Sequence, residues 1–440
     1  MQRHLLYVAW GFPPCRGGGV YRALATANEF ARAGWRVTVL TANRETFELY
    51  TGADESLEAE IDPRVEVVRI PFVWPAQEPD IRSYSRLRVH LPQLWSRCRS
   101  LLDQLPFPER GYGPWRRPLV AAAHRIHERD PVDLVVATAN PYVTFAAATA
   151  LHERGVPYAL DFRDAWSLDV FSGRTVAGRR SRIGRVERRS VAGAIEVWFV
   201  NEPIRKWYAT RYPEHSGRMH VVANGWDPGL VAGGTGHAAE ARSGAPPTFG
   251  YLGTITRKVP LEVLVQGWAL AKERGDLPSD ARLRLAGYLG YFAGGDTDLR
   301  AVIARGADSD VEFVGAVPKR DVARFYDGVD VLVLALGAGA YVTSGKVFEY
   351  LAIGRPIVSV HAPQNAVADV LTGHPLWAPV DEVDAASVAS ALGVGWRFAR
   401  SATPKQLARA RDFGMRYRRD RQLVPRIRAL REALAARSPS

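Results

Sequence analysis

The run from Thr343 to Val360 changes period halfway along, and that change limits the fold more than any other stretch of the chain. Phe348, Leu351 and Ala352 fall on one helical face. Gly354 then stops the helix and Pro356 forbids its continuation, so Ile357 to Val360 reads as a buried parallel strand. Upstream, Val329 to Ala335 reads as another buried strand, followed by a loop with Gly337 and Gly339 and a helix opening near Ser344. The unit is strand, glycine-rich loop, helix, strand. A helix start flanked by Thr343, Ser344 and Gly345 presents unpaired amides and the positive end of the dipole to an anion, and Lys346 adds a charge there. Glu349 comes one turn later on the face that Lys346 shares, where its carboxylate could accept two hydrogen bonds from the hydroxyls of a ribose. An exposed Lys346–Glu349 pair with Ser344 as a simple cap fits the same residues.

The same alternation runs through the rest of the chain. Leu5 to Trp10 reads as a strand, Arg16 to Gly19 as a glycine-rich loop, and the residues up to Ala33 as a helix closed by Gly34 before a strand from Arg36 to Thr41. This is the doubly wound opening, and glycines between strand and helix let a ligand approach the backbone. A dinucleotide site would need Gly-x-Gly-x-x-Gly and an acidic residue closing the second strand; the chain has neither. Further strands are expected at 65–70, 133–138, 158–160, 196–200 and 220–223. A strand then carries the Asp161 to Trp166 segment at its carboxyl end, where open α/β sheets hold ligands. Residues 227–247 hold the densest glycine and proline stretch and read as a linker. The pattern restarts at Thr248, with Arg257 and Lys258 in the loop before a helix near Pro260. Strands at 282–287, 311–315, 329–335 and 357–360 follow, and a basic helical tail is expected from Pro404 to Ala436.

These stretches resemble the retaining GT-B glycosyltransferases of the family-4 type, most specifically at 161–166, 224–227 and 343–356. The resemblance implies two Rossmann-like, doubly wound domains facing a central cleft: an acceptor-side domain over 1–227, a linker over 228–247, a donor-binding domain over 248–415, and a basic terminal helix over 416–440 that packs back on the first domain. It implies a nucleotide-sugar donor held by Ser344, Gly345, Lys346 and Glu349, with Gly18 and Gly19 facing it. Arg257, Lys258, Arg163 and Asp164 would act in catalysis, and Asp161 and Asn140 would stand on the acceptor side. The acceptor would be a glycan, a lipid-linked sugar or a small molecule, and the configuration at the anomeric carbon would be retained. The family often carries a glutamate eight positions before the ribose-binding one, contacting the transferred sugar; here that position is Tyr341. A sugar-nucleotide epimerase of the same fold, or a partner subunit without activity, are the competing readings.

Composition bounds the rest. With 440 residues, 47% hydrophobic and 24% charged, the chain can bury two cores. Its two cysteines, Cys15 and Cys98, are too few for a disulfide framework or a zinc site and suit the cytoplasm. The pairs Asp296/Asp298 and Asp308/Asp310 match a metal-diphosphate pattern, but the first opens a helix and the second sits in a loop. A metal and a cofactor are therefore not expected. The net charge of +12 attracts anions. An insertion from Trp74 to about Arg117 is basic and aromatic, with Arg82, Arg86, Arg88, Arg97 and Arg99 alternating with Tyr84, Leu87, Leu91, Leu94, Trp95 and Leu101. A peripheral place on an acidic membrane suits that mixture, and so does a solvated helix pair packed on the first domain. No nucleic-acid motif frames it.

Overall fold

The structure, a computed structural model, describes residues 2–230, 245–290, 296–318, 321–337 and 339–437. Its described contacts divide into two compact units, one comprising Met1–Asp169, Arg174–Ala223 and Gln422–Ser440, the other Val170–Gly173 and Asn224–Arg421. Most of the expected linker lies outside the described residues.

The first unit is a seven-stranded parallel sheet of β1 (His4–Val8), β2 (Arg36–Ala42), β3 (Val65–Ile70), β4 (Leu134–Thr138), β5 (Tyr158–Phe162), β6 (Glu196–Phe199) and β7 (Met219–Val221), in the order β3-β2-β1-β4-β5-β6-β7. The second is a six-stranded parallel sheet of β8 (Thr248–Leu252), β9 (Arg282–Ala286), β10 (Val311–Gly315), β11 (Val331–Ala335), β12 (Ile357–Val360) and β13 (Trp377–Pro379), in the order β10-β9-β8-β11-β12-β13. The central strands are buried along their whole length, as helices on both faces of a parallel sheet require. Each sheet reverses its strand order once, between β1 and β4 in the first and between β8 and β11 in the second. Beyond the carboxyl ends of strands at such a reversal, neighbouring loops part and leave room for a ligand.

Several elements add detail that the sequence pattern does not carry. The basic tail is two helices, Pro404–Met415 and Arg419–Ala435. Between them the backbone pairs with Trp226, whose N–H donates to the Tyr417 carbonyl and whose carbonyl accepts from Arg419 N–H, so residues 416–418 cannot stay helical. Leu423, Ile427, Leu430 and Leu434 of the second helix join the core of the first unit. The helix Arg182–Gly193 is capped by Ser181, and ahead of it Thr175 pairs with Leu168 in an antiparallel bridge. β13 and the helix Arg44–Tyr50 carry no pattern strong enough to be anticipated.

Candidate functional site

In the first unit the expected residues gather beyond β1, β4 and β5. Gly19 caps the helix Val20–Arg32, and the Arg163 guanidinium from the end of β5 lies over it. A Cβ on Gly19 would come within 1.6 Å of Arg163 Nη1, so glycine is required for that approach. The space beside Gly18 is open. An arginine side chain at a helix N-terminus brings two positive groups together, an arrangement that favours an anion between them. Asp164 follows. Burial pushes its carboxyl above the usual range, while Arg163 and a hydrogen bond from Asn140 pull it back. Arg163, Asp164, Asn140 and Gly19 are thus brought into one corner.

Asp161 departs from its expected acceptor-side place. It is 1% exposed and accepts two bonds from Arg22, at 2.8 Å from Nε and 2.6 Å from Nη2, and a third from Thr138 at 3.0 Å. Arg22 completes its fork on the carbonyls of Val222 and Ala223. The pair fastens the helix Val20–Arg32 to β5 and to the backbone just past β7, and the carboxylate is buried in these bonds.

Two groups near this corner escape a reading of the sequence. Glu109, from the far end of the insertion, accepts the N–H groups of Tyr142 (2.9 Å) and Val143 (2.7 Å) at the turn that follows Asn140. Burial outweighs those two bonds and pushes its carboxyl up to about 7. Tyr142 stacks on Trp166 at 4.7 Å, and Trp166 on Phe107 at 5.3 Å. Behind them, Tyr208 accepts from the Trp166 N–H (3.0 Å) and donates to the buried Glu187 (2.8 Å), which fixes the backbone just past Asp164. These partners stand 33 and 42 residues apart along the chain, and no local spacing signals them.

In the second unit the expected residues stand beyond β8 and β11. The helix Gly345–Ile353 is capped by Ser344, whose hydroxyl accepts from Lys346 N–H at 3.3 Å, and Gly354 ends it in the left-handed conformation (φ 71°). Lys346 Nζ bonds Glu349 Oε2 at 2.8 Å, and Tyr326 donates to the same oxygen at 2.8 Å. Among the described residues no hydrogen bond reaches Oε1. The carboxylate is therefore held in place with an acceptor oxygen to spare, so the paired and ligand-binding readings are compatible.

Lys258 and Arg257 separate. Gly337 packs against the Lys258 carbonyl so tightly that a Cβ would lie 1.9 Å from it, which brings the loop after β8 against the loop after β11. The Lys258 ammonium lies 3.5 Å over the Phe171 ring of the excursion Val170–Gly173, within the same unit. Arg257 instead is clamped by Asp296 (2.7 Å) and Asp298 (2.6 Å). Asp296 also caps the helix Thr297–Arg305. The Asp296/Asp298 pair serves an arginine and a helix end, and Arg257 is held in two ion pairs where it was expected to meet a leaving group. Among the described residues no group of three or more His, Cys, Asp or Glu side chains is placed to hold a metal ion.

Two family models match the sequence, one described as a glycosyl transferase 4-like domain over residues 17–225, the other as glycosyl transferases group 1 over residues 246–393. No curated protein sequence matches the chain. Among solved structures, a glycosyltransferase from Rickettsia africae superposes with a TM-score of 0.67 at 11% identity, over 99% of this chain and 100% of the other. Anabaena HepE in complex with UDP gives 0.64 at 13%, and sucrose-phosphate synthase from Thermosynechococcus elongatus 0.62 at 16%, each over 99% of this chain and 100% of the other. At such identities the structures speak to the fold, and the family models to the activity. With a glycosyltransferase domain matched on each of its two parallel sheets, the chain belongs to the glycosyltransferases of the GT-B fold.

Proposed function

We propose that the protein transfers a hexose from a nucleotide-sugar donor to a hydroxyl acceptor with retention of anomeric configuration, and that the donor is held by the second unit at the start of the helix Gly345–Ile353. The observation that carries this reading is the placement of that capped helix, with Lys346 on its first turn and Glu349 one turn later, beyond β11 where the strand order reverses. Its amides and Lys346 suit a diphosphate, and Glu349 Oε1 suits a ribose hydroxyl. The UDP complex of a structural neighbour is in keeping with a nucleotide donor.

As the glycosidic bond breaks, negative charge grows on the leaving diphosphate, and fixed positive groups that meet it lower the barrier. Lys258 and the amides at Ser344, Gly345 and Lys346 are the candidates. Arg257, neutralised by Asp296 and Asp298, is assigned a lesser part. The corner of Arg163, Asp164, Asn140 and Gly19 is assigned to the acceptor and the transferred sugar. Retention follows from the resemblance at 161–166 and 343–356, with the departing phosphate taking the acceptor proton. The reaction then needs neither a protein nucleophile nor a metal, and turnover is expected to persist in a chelator.

The test is calorimetry of nucleoside diphosphates on the wild type and on Glu349→Ala. A hydrogen bond to a charged group is worth about 1.5–3 kcal/mol, so the variant should bind its preferred diphosphate roughly ten- to a hundredfold more weakly. Equal affinity in the two proteins would move the ribose elsewhere.

A further inference from the structure

The helix Pro92–Gln104 is built inside out. Its buried residue is an aspartate, Asp103 (2% exposed), paired with Arg99 at 2.6 Å, while its leucines face away from the protein. Of the sixteen large apolar side chains that are exposed among the described residues, nine lie between Val73 and Leu105, with Leu101 at 69%. At 3.6 residues per turn, Leu91, Leu94, Trp95, Cys98, Leu101, Leu102 and Leu105 cover a stripe about 120° wide. Arg97 flanks one edge and Arg99 the other. Before the stripe, the short helix Arg86–His90 exposes Leu87 and Val89 beside Arg86.

The arginines of this region are not equivalent. Arg88 is turned inward, its guanidinium 3.5 Å over Tyr84 and 4.5 Å over Trp95, and it donates to the Pro75 carbonyl. Arg82 is paired with Asp80. Arg86 and Arg97 remain as exposed cations in no ion pair among the described residues, one before the stripe and one along it.

We infer that the segment from Arg86 to Leu105 lies on an anionic lipid surface, its leucines entering the acyl boundary and Arg86 and Arg97 meeting the headgroups. An apolar stripe of this width with cations at its margin is the pattern of a helix resting in a membrane interface, where basic side chains extend their charge to the headgroup level. A second copy of the chain fits less well. Two such faces would bring arginines against arginines, and Leu102 and Trp95 broaden the stripe beyond the narrow seam of a paired helix. No helix among the described residues is long and apolar enough to cross a membrane, so the contact is one of lying on the surface. This inference goes beyond the transfer reaction and stands or falls apart from it.

Flotation of the full chain with vesicles of phosphatidylcholine mixed with phosphatidylglycerol, and with phosphatidylcholine alone, tests it. Binding to the mixed vesicles is expected in low salt and should weaken as salt screens the arginines. Arg86→Gln with Arg97→Gln should reduce it roughly thirtyfold, about fivefold for each charge. Leu94→Asp with Leu101→Asp should abolish it without lowering the melting temperature, since neither leucine is buried. A bimane on the exposed Cys98, with Cys15 buried, should shift to the blue only with the anionic vesicles. Absence of binding, or equal binding to neutral vesicles, overturns the inference. A dimer in sedimentation that the leucine pair dissolves, with no vesicle binding, would also overturn it and give the stripe to a second copy.

Discussion

Single side chains divide here into those spent on the fold and those left to a ligand, and the division predicts how each substitution will read out. Asp161 belongs to the first kind. Removing one partner of a buried ion pair strands the other charge, so Asp161→Ala should cost about 3–5 kcal/mol of stability in denaturant unfolding. An unchanged unfolding midpoint with a raised acceptor KM would return Asp161 to the acceptor side. On the proposed function Gly19 belongs to the second kind. Its Cβ would meet the mobile end of Arg163, so Gly19→Ala should displace the guanidinium, lower kcat/KM and leave the melting temperature near that of the wild type. Glu109 sets a pH dependence. Its folded-state value near 7 lies above the ordinary 4.5, so folding binds a proton between those limits. The associated stability is fully present below about 4.5 and lost as pH rises through 7, by at most about 3 kcal/mol at 1.36 kcal/mol for each unit. Glu109→Gln should flatten that slope in thermal melts, and an unchanged slope would place the titration elsewhere.

Elements explain why the second unit was more legible in the sequence than the first. Around β11 and the helix Gly345–Ile353 every signal is local: a buried apolar run, glycines, a serine cap, Lys346 and Glu349 one turn apart, and a left-handed glycine. Each needs only its own neighbours, so spacing alone places them. The loop between β8 and its helix is different. That Arg257 would turn to Asp296 and Asp298 while Lys258 stays at the contact with Gly337 depends on residues about 40 and 80 positions away. Sequence reading ranked the two cations together, and the proposed function puts Lys258 first. Lys258→Ala should therefore lower kcat as well as kcat/KM, with Arg257→Ala much the milder of the two, because the Arg257 charge is already met by two carboxylates. Steady-state kinetics of the two variants decides it, and equal losses would mean that Arg257 leaves its clamp during turnover. In the first unit, Tyr142 meets Glu109 and Trp166, and Trp166 meets Tyr208, only because the insertion, the loops after β4 and β5 and the helix Glu202–Arg211 converge, which no periodicity encodes.

At the scale of the molecule, two parallel sheets with one reversal each were readable from alternating strands and helices, because a strand covered on both faces must be apolar throughout. The pairing that breaks the tail was not, since it depends on Trp226, nearly two hundred residues earlier. The central claim is that this fold activates a nucleotide sugar at the start of the helix Gly345–Ile353. Its most direct test is release of nucleoside diphosphate from a panel of nucleotide sugars, followed with and without hydroxyl acceptors, for the wild type and Glu349→Ala. The account predicts release from at least one donor by the wild type, faster with an acceptor, and strongly reduced in the variant. Release undiminished in Glu349→Ala, or conversion of the sugar to its epimer in place of transfer, would contradict it.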